Sequence, residues 1–354
     1  MNNKKRILIT GASGTVGTAL LKQLCSNNKY EEITVFDIDT RRTRRCFTRY
    51  KKHITCVFGD ISKSGDIDAA CRDQDIVIHL AAVIPPLADD MPELAHRVNV
   101  HGTQNLITAL ERYSPSAFIC YASSISVYGD RLKDPNIRVG DPLHCSIGDY
   151  YAETKIAAEK LIQTSALNWS IFRLTAIMGV QNHKISKIMF HMPLNTSIEI
   201  ATPEDTARAF YHMINKISLL SGKIFNLSGG PVCRITYNDF LTRSFTLFGL
   251  GKLNFPRNAF AGKNFHCGYY VDGNELENIL HFRRDTIESY FTKVKKSISW
   301  IQRDCTYLVS GIIKHRLLLQ SEPLNAIKMR NSMMIRRFFG AQFMKRSLPL
   351  QNKP

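Results

Sequence analysis

A tyrosine and a lysine are spaced for proton transfer within residues 150–164, a stretch with the pattern of a helix. Tyr151 and Lys155 are four positions apart, so their side chains project from one helix face, one turn from each other. At about 5 Å and an effective dielectric near 20, an ammonium stabilises a phenolate by roughly 3 kcal/mol, or about two pKa units. We therefore expect Lys155 to lower the pKa of Tyr151 toward the range of a general base. Tyr150 has no such partner, because Thr154 occupies its i+4 position.

A glycine-rich turn near the N-terminus has the spacing of a phosphate-binding loop. An apolar run over 6–10 leads directly into Gly11-Ala-Ser-Gly14-Thr-Val-Gly17, and a helical pattern over 15–25 follows. Glycine at these positions allows a tight turn, a close approach of main-chain N–H groups to a pyrophosphate, and close packing of the helix. The positive end of that helix would then face the phosphates. This motif gives the first expected cofactor-binding residues: Gly11, Gly14, Thr15, Val16 and Gly17.

An acidic residue closes the second apolar run and bears on the choice of cofactor. Asp37 lies twenty residues after Gly17, where a carboxylate can accept hydrogen bonds from an adenosine ribose. The same charge would repel a 2′-phosphate, so the sequence favours NAD over NADP. Arg41 and Arg42 follow closely and could bind that phosphate, which keeps NADP as the alternative.

Two further segments lie at the ends of predicted strands, as the glycine turn and Asp37 do. Gly59-Asp60-Ile61 closes the third apolar run, where the Asp60 side chain could contact the adenine amine. His79-Leu80-Ala81-Ala82 closes the fourth run, and its small residues would let the backbone pass under the cofactor. These segments add five residues to the expected cofactor site: Asp60, Ile61, Leu80, Ala81 and Ala82.

The elements that must position these residues alternate along the first 230 residues. Short apolar runs separated by helical patterns predict a parallel sheet covered by helices on both faces, which is the doubly wound α/β (Rossmann) fold. The predicted strands are 6–10, 33–37, 54–58, 76–80, 117–121, 170–174 and 224–227, and the predicted helices are 15–25, 93–110, 150–164 and 203–215.

The alternation stops after Gly229-Gly230-Pro231, which suggests three parts. Residues 1–230 are predicted to form an NAD(P)-binding Rossmann domain with part of the substrate site. Residues 231–302, with helical patterns over 236–248 and 285–302, are predicted to form a smaller substrate lobe. Residues 303–354 form a basic tail rich in Met and Phe.

The tail carries much of the positive charge of the chain. Residues 291–354 hold thirteen Lys and Arg against two acids, within a net charge of +17. Wound as one helix, residues 324–340 separate an apolar face from a basic face, although Lys328 intrudes on the apolar side. The apolar face would hold Leu324, Ile327, Met334, Ile335, Phe338 and Phe339, and the basic face Arg330, Arg336 and Arg337. Such a helix could lie on an anionic bilayer, pack on a partner subunit, or cover the active site of its own chain.

Composition excludes several classes of protein. A hydrophobic fraction of 44% and a charged fraction of 22% are typical of a soluble globular chain, and no apolar run is long enough to span a membrane. The basic residues near the N-terminus are followed by only three apolar residues, so we expect no signal peptide. We therefore expect a cytoplasmic enzyme. Peripheral contact with a membrane through the tail is the alternative. Nine scattered cysteines without a Cys-x-x-Cys pair, and histidines without ligand spacing, predict no disulfide frame and no metal site. The sequence contains no motif known to recognise nucleic-acid bases, so we do not expect nucleic acid as a partner.

Taken together, these motifs resemble the extended short-chain dehydrogenase/reductase family, in particular its NAD-dependent epimerase/dehydratase branch. The resemblance is good over residues 5–230 and weak over 231–300. It includes Asn99-Val-x-Gly102-Thr103, the segment from Arg173 to Gly179, and Tyr-Ala-Ser-Ser-Ile-Ser-Val-Tyr-Gly at residues 121–129.

The resemblance implies a catalytic triad of Ser124, Tyr151 and Lys155. Ser124 matches the catalytic hydroxyl of the family because it lies four residues before the tyrosine of Val-Tyr-Gly, whereas Ser123 and Ser126 match it less well. It also implies that Tyr151 takes a proton from a substrate hydroxyl while hydride moves to the nicotinamide, with Ser124 orienting the oxygen. Lys155 would also hydrogen-bond the nicotinamide ribose, and Asn99 would lie near the cofactor.

Two departures from the family pattern narrow the substrate. Ile125 and Ser126 occupy the positions where sugar dehydratases carry an Asp-Glu pair, which disfavours a dehydratase. Ala176 replaces the Asn usual in nucleotide-sugar enzymes. The sequence therefore predicts an NAD(P)-dependent oxidoreductase acting on a secondary alcohol or ketone of a small molecule. A nucleotide-sugar epimerase and a non-catalytic NAD-binding assembly protein are the alternatives, and a homodimer could form through helices 93–110 and 150–164.

Overall fold

The computed structural model describes residues 4–26, 31–180 and 185–343. Twelve strands are present in these ranges. They are β1 (Lys5–Thr10), β2 (Glu31–Asp37), β3 (Ile54–Phe58), β4 (Ile76–His79), β5 (Phe118–Ser124), β6 (Asn136–Ile137), β7 (Asn168–Leu174), β8 (Ala176–Ile177), β9 (Ser197–Ala201), β10 (Lys223–Leu227), β11 (Arg234–Thr236) and β12 (Tyr269–Tyr270).

The helices pack on both faces of the main sheet and form most of the C-terminal part. They are α1 (Thr15–Ser26), α2 (Arg41–Thr48), α3 (Leu87–Asp90), α4 (Pro92–His96), α5 (Gly102–Tyr113), α6 (Tyr150–Thr164), α7 (Pro203–Met213), α8 (Ile217–Leu220), α9 (Tyr237–Leu247), α10 (Asn274–Leu280), α11 (Ile287–Ser297), α12 (Trp300–Leu308), α13 (Ser310–Leu319), α14 (Glu322–Lys328) and α15 (Ser332–Phe339).

Seven strands form one parallel sheet in the order β10-β7-β5-β4-β1-β2-β3. This sheet confirms the predicted doubly wound α/β fold, and its seven strands are those predicted, with ends shifted by up to three residues. The order reverses beside β1, because β4 pairs with β1 on the side opposite β2. Ligands of open α/β sheets bind at the carboxyl ends of the strands near such a reversal.

Alternate side chains of the central strands enter two separate hydrophobic cores. Ile7 and Ile9 of β1 lie in the core that also contains side chains of α1 and α7. Leu8 points to the opposite face, into the core formed with α5 and α6. Burial on both faces explains why the strands read as continuous apolar runs and could be located from the sequence.

The helix predicted over 93–110 is present, and its helical type changes along its length. A π-helical turn, Arg97–His101, separates α4 from α5. The turn contains Asn99, whose carboxamide accepts from Val83 N at 2.7 Å and donates to Val83 O at 2.9 Å. Such turns interrupt the regular helical pattern locally and are frequent at functional sites.

The predicted helix over 285–302 is likewise two helices. α11 ends at Ser297, and α12 begins after Ser299, whose side chain accepts a hydrogen bond from Gln302 N. Serine favours such a capping position, because its hydroxyl satisfies a backbone N–H that the first helical turn leaves unpaired. The prediction over 236–248 agrees with α9.

A third hydrophobic core lies beyond the main sheet. It contains buried aromatic side chains of α9 and α11, including Phe240, Phe245 and Phe291, together with Phe190. Leu317 of α13 also belongs to it. The smaller lobe therefore draws on chain segments from both sides of residue 230, and the division at residues 230 and 302 stays a prediction.

The C-terminal segment is helical, but the single helix predicted over 324–340 is wrong. The chain turns between α14 and α15, where Arg330 has a φ of +51° and Asn331 caps α15 by accepting from Met334 N. The predicted apolar face nevertheless packs inward: Ile335 and Phe338 are buried in a cluster with Ala261 and Ala326. These two helices rest on the body of the same chain.

Candidate active site

The three residues of the predicted triad lie together at the carboxyl edge of the sheet. Ser124 is the last residue of β5, and its hydroxyl lies near Tyr151 in the first turn of α6, where it opposes the rise of the Tyr151 pKa. Lys155 is buried and donates from Nζ to Ala122 O at 2.8 Å. Its Nζ lies 5.6 Å from the centre of the Tyr151 ring. The structure thus brings Ser124, Tyr151 and Lys155 together, while their roles stay predictions.

The serine that contacts Tyr151 is the one matched by the family pattern. Ser123 is directed to the other side, where its Oγ donates to Glu159 Oε1. Ser126 is fully buried in the helical turn after β5, and its N–H donates to Ser124 Oγ at 3.2 Å. Of these three hydroxyls, Ser124 is the one positioned to share a substrate oxygen with Tyr151.

Burial shifts the pKa values of Tyr151 and Lys155 so that the uncharged form of each side chain is favoured. Desolvation raises the pKa of Tyr151, and the Ser124 hydrogen bond opposes that rise without cancelling it. Desolvation also lowers the pKa of Lys155 to about 7, against the opposing charge of Glu159. Burial therefore opposes the lowering of the Tyr151 pKa that is expected from Lys155, because that expectation counted the attraction of an ammonium and not the loss of water around both groups.

These pKa shifts favour one proton-transfer role for the chain without bound molecules. A phenol whose pKa is raised stays protonated and can donate its proton to a developing alkoxide. Lys155 is an ammonium below about pH 7 and neutral above it, so the local charge beside Tyr151 changes near neutrality. Removal of a substrate proton by Tyr151 needs additional positive charge in the site.

A buried ion pair fixes the helix that carries Tyr151 and Lys155. Glu159 lies one turn after Lys155, and Arg173 of β7 donates to its two oxygens, from Nε at 2.9 Å and from Nη2 at 2.7 Å. Both side chains are at most 3% exposed. Ser123 of β5 donates to the same carboxylate. This interaction therefore joins α6, β5 and β7 directly below the triad.

The network continues from Arg173 away from the helix. Arg173 Nη1 donates to the hydroxyl of Tyr128 at 2.8 Å, and that hydroxyl donates to Asn226 Oδ1 at 2.8 Å. Asn226 Nδ2 then donates to Asp272 Oδ1 at 2.9 Å. The tyrosine of Val-Tyr-Gly is thus part of a supporting chain of hydrogen bonds that reaches the C-terminal lobe.

Sequence reasoning missed Glu159 and His79. Glu159 continues the four-residue spacing of Tyr151 and Lys155, and that spacing was the signal that could have identified it. His79 is buried between two hydroxyls, with Nδ1 2.7 Å from Thr10 Oγ1 and Nε2 2.9 Å from Thr103 Oγ1. Burial, helped by the charge of Lys155, lowers the pKa of His79 to about 3, so it is neutral.

The glycine turn lies against the end of β4. Gly11 has a φ of +70°, and a Cβ added there would lie 2.7 Å from Ala81 Cα. A Cβ on Gly17 would lie 2.6 Å from Ala12 O, so this glycine packs α1 on the turn itself. Both positions therefore exclude a side chain. The turn leaves the N-terminus of α1 at the carboxyl edge of the sheet.

Asp37 is tied to the glycine turn by its carboxylate. Its Oδ2 accepts from Ser13 N at 2.8 Å, and its Oδ1 accepts from Ile38 N at 2.9 Å. A cleft of about 470 Å³ runs along the turn, and three cationic side chains line it, Lys22, Arg42 and Arg49. Arg42 therefore lies in this cleft, as the NADP alternative requires.

Several other residues predicted to bind a cofactor make contacts within the protein. Asp60 Oδ1 accepts from Ser62 N at 3.0 Å, and Ile61 is buried against Gly102. Asn99 donates to Thr154 Oγ1 at 2.9 Å in addition to its bonds with Val83. Four further predicted residues are half-buried beside the turn and the end of β4: Thr15, Val16, Leu80 and Ala82. The roles of these residues toward a cofactor stay predictions.

A second cavity adjoins the start of α6 and has a volume of about 370 Å³. Ser146 and Asp149, which precede Tyr151, line it, and so does Ala176 of β8. Asp149 also caps α6 by accepting from Ala152 N at 2.9 Å. The cavity therefore lies beside the segment that leads into Tyr151.

Neither a metal site nor a membrane-spanning helix occurs in the described ranges. Among residues 4–26, 31–180 and 185–343, no group of three or more His, Cys, Asp or Glu is arranged to hold a metal ion. No helix in those ranges combines the length and the apolar character needed to cross a bilayer. The nine cysteines are free thiols.

Residues 8–176 match the model of the 3-beta hydroxysteroid dehydrogenase/isomerase family. The chain is 27% identical over 159 residues to 3 beta-hydroxysteroid dehydrogenase type 7 of Mus musculus, which covers 44% of this chain and 43% of that protein. It is 26% identical over 255 residues to the decarboxylating sterol-4-alpha-carboxylate 3-dehydrogenase of Schizosaccharomyces pombe, covering 66% of this chain and 72% of that one. The chain thus spans less than half the length of the mouse relative.

The fold matches solved structures over most of the chain. The dTDP-glucose 4,6-dehydratase DesIV of Streptomyces venezuelae, solved with NAD and TYD bound, gives a TM-score of 0.68 at 19% identity, covering 82% of this chain and 96% of that one. At this identity the match shows the fold alone. The family model over residues 8–176 and this fold agree with the resemblance recognised from the sequence motifs.

We predict that Glu159→Gln destabilises the fold strongly, because it leaves the Arg173 guanidinium buried without its charged partner. Breaking a buried pair from one side typically costs about 3–5 kcal/mol. Glu153→Gln is the matched control, since Glu153 is exposed on the same helix and should change stability by less than about 0.5 kcal/mol. Urea unfolding followed by circular dichroism measures both variants. Equal unfolding midpoints for the two variants would show that the pair does not hold α6.

Proposed function

We propose that this chain, which resembles the extended short-chain dehydrogenase/reductase family, transfers hydride between NAD and a secondary alcohol or ketone of a small molecule. The observation that carries the proposal is the meeting of Ser124, Tyr151 and Lys155 at the carboxyl edge of the sheet, with the Lys155 amine 5.6 Å from the centre of the phenol ring. Two hydroxyls that share one point of the cleft can hold one carbonyl oxygen between them, and one of them can supply its proton.

The residues around the glycine turn fit a dinucleotide. Gly11 and Gly17 leave no room for side chains, and the carboxylate of Asp37 lies on the turn through Ser13 N, where a ribose would hydrogen-bond. The nicotinamide, when bound, supplies the hydride acceptor or donor. A carboxylate at Asp37 favours NAD, although Arg42 in the same cleft keeps NADP as a weaker candidate.

In the reducing direction each side chain has a defined task. Tyr151, protonated because its pKa is raised, gives its proton to the oxygen that receives negative charge. Ser124 donates to or accepts from the same oxygen and orients it. Lys155, held on Ala122 O, sets the charge beside the phenol and can return a proton to the site, since its pKa of about 7 allows both protonation states near neutrality. In the oxidising direction the same groups act in reverse order.

The lining of the site bears on the substrate. Ile125 and Ser126 are buried and provide no acid at the positions where dehydratases carry two, so loss of water from a sugar is disfavoured. Most side chains around the second cavity are apolar, which favours a substrate less polar than a nucleotide sugar.

A nucleotide-sugar epimerase is the second candidate, supported by the nucleotide-sugar enzymes among the proteins of similar fold. A non-catalytic NAD-binding protein is the third, and the buried amine beside the phenol disfavours it, since burial without a function is costly.

We predict that Tyr151→Phe lowers turnover by about 10²–10⁴-fold and leaves NADH affinity within about twofold, because it removes the proton donor and not the dinucleotide groove. Tyr150→Phe is the control, since Tyr150 is 41% exposed and lacks the lysine partner. NADH and NADPH consumption should be followed with a panel of ketosteroids and nucleotide sugars. Undiminished turnover in Tyr151→Phe would contradict the proposal. Isomerisation of a nucleotide sugar without net NADH use would favour the epimerase.

We also propose that the surface of α12 and α13 contacts an anionic bilayer. This surface replaces residues 324–340, whose apolar face packs on the body of the chain. Its large apolar side chains are exposed: Trp300, Ile301, Tyr307, Leu308, Val309, Ile312 and Leu319. Exposed cations lie on or beside these helices, namely Lys295, Lys296, Arg303 and Arg316, and the carboxylate of Asp304 pairs with Arg303 at 3.1 Å. Apolar insertion combined with positive charge is how helices bind anionic membranes at their surface.

We predict that the protein floats with vesicles of phosphatidylcholine and phosphatidylserine and much less with phosphatidylcholine alone. Leu308→Ser with Trp300→Ser should abolish flotation, whereas Leu219→Ser, at an exposed apolar position elsewhere, should not. Equal flotation of all variants would contradict the membrane proposal. Analytical ultracentrifugation of the same variants tests a homodimer: dissociation by the Trp300/Leu308 substitutions would assign this surface to a second copy, and not to a membrane.

A further inference from the structure

Helix α15 closes one side of the cavity of about 370 Å³ beside the start of α6. Two of its side chains, Arg337 and Phe338, line this cavity. The other walls come from segments far away in the sequence, including Asp89 of α3, Ser146 before α6, and Phe265. A segment near the C-terminal end of the described chain therefore completes a cavity at the carboxyl edge of the N-terminal sheet.

Specific contacts hold α15 in this place. Phe338 is buried, and its ring centre lies 5.0 Å from that of His191. Its carbonyl oxygen accepts from Gly262 N at 2.8 Å. In the preceding helix, α14, Glu322 pairs with Lys187 at 3.0 Å and with His191 at 3.1 Å. These interactions fix the helix on the body of the chain from two directions.

Arg337 enters the cavity between an acid and a glycine. Its Nη2 lies 3.5 Å from Asp89 Oδ2, a weak contact that leaves most of the guanidinium donors available. Gly148 has a φ of +75°, and a Cβ added there would lie 3.3 Å from Arg337 Nε, so this position makes room for the guanidinium. Arg337 is thus built into the wall of the cavity, in contrast to the exposed Arg336 beside it.

The polar end of the cavity contains buried groups without partners among the described residues. Ser146 is 6% exposed, and its Oγ has no hydrogen-bond partner there. Asp89 Oδ1 is likewise buried and unpartnered. Asp149, beside them, lies 3.0 Å from His266 Nδ1. Buried polar atoms in a cavity of this size are the groups that a ligand satisfies.

The charges at this end select the kind of ligand group. Two carboxylates, Asp89 and Asp149, face one guanidinium and the imidazoles of His191 and His266. Burial and the charge of Asp149 raise the pKa of Asp89, against the opposing charges of Arg337, His266 and His191. A diphosphate or a third carboxylate would be repelled by Asp89 and Asp149. A neutral hydroxyl can instead donate to Asp89 and accept from Arg337 or Ser146.

We propose that α15 is the closing wall of the substrate cavity and that Arg337, together with Asp89 and Ser146, recognises a neutral hydroxyl on an otherwise apolar substrate. This inference rests on the proposed function and deepens it, since it names the substrate class of the same site. The apolar body lies against Ile147, Ile177, Met178 and Phe338. Arg337 is a specificity-determining residue and does not take part in proton transfer at Tyr151.

The test compares two probes and three variants of the full chain with oxidised NAD bound, so that the ketone of each probe is not reduced during the measurement. One probe is a ketosteroid that carries a second hydroxyl distant from its ketone, and the other is the same ketosteroid without that hydroxyl. Calorimetry measures binding of each probe to Arg337→Met, to Arg337→Lys and to Arg336→Met. Arg336 is the matched control, because it is the neighbouring exposed arginine of the same helix.

We expect wild type to bind the hydroxylated probe at least tenfold more tightly than the other probe. Arg337→Met should abolish this preference, Arg337→Lys should restore part of it, and Arg336→Met should leave it unchanged. A merely structural role would weaken both probes equally and leave their ratio intact, so an unchanged ratio in Arg337→Met overturns the proposal. Tighter binding of UDP-glucose than of either ketosteroid, or no binding of the ketosteroids to wild type, overturns it as well. Arg337-dependent binding without turnover would count against the proposed function alone.

Discussion

The buried ion pair between Glu159 and Arg173 is the interaction on which the candidate site depends. It joins α6 to β7, and through Ser123 also to β5, in a region where each side chain is at most 3% exposed. Tyr151, Lys155 and Glu159 follow one another at four-residue spacing, so fixing the carboxylate fixes the rotation of the whole helix face. A buried pair contributes little net stability when intact, but it strongly penalises any packing that separates its partners.

Most of the fold could be predicted from the sequence. The seven strands of the main sheet are buried on both faces and therefore read as short apolar runs, and the glycine turn could be located because Gly11 and Gly17 leave no space for a Cβ. The triad could be assembled from its spacing and its family pattern, because Tyr151 and Lys155 share one helix and Ser124 ends a strand that the pattern identifies. Local constraints of this kind leave a signal in the order of residues.

Features that depend on tertiary contacts could not be predicted. The π turn at Arg97–His101 and the break before Asn331 coincide with side-chain hydrogen bonds of Asn99 and Asn331, which no periodicity records. The rise that burial causes in the pKa of Tyr151 could not be predicted, because desolvation depends on which side chains surround the phenol and not on the spacing of its charged neighbour. The place of Arg337 in a cavity beside α6 joins segments about 190 residues apart, and only the folded chain brings them together.

The central claim is that burial, and not attraction between neighbouring charges, sets the protonation of the Tyr151 and Lys155 pair. The most direct measurement is an NMR titration of the Lys155 amine in the protein without cofactor, with Lys155→Arg used to assign the signal. The account predicts a midpoint about three pH units below that of an exposed lysine, in agreement with a pKa of about 7. A midpoint near that of the exposed lysines would contradict it, since it would mean that the amine remains an ammonium and that desolvation does not govern the site.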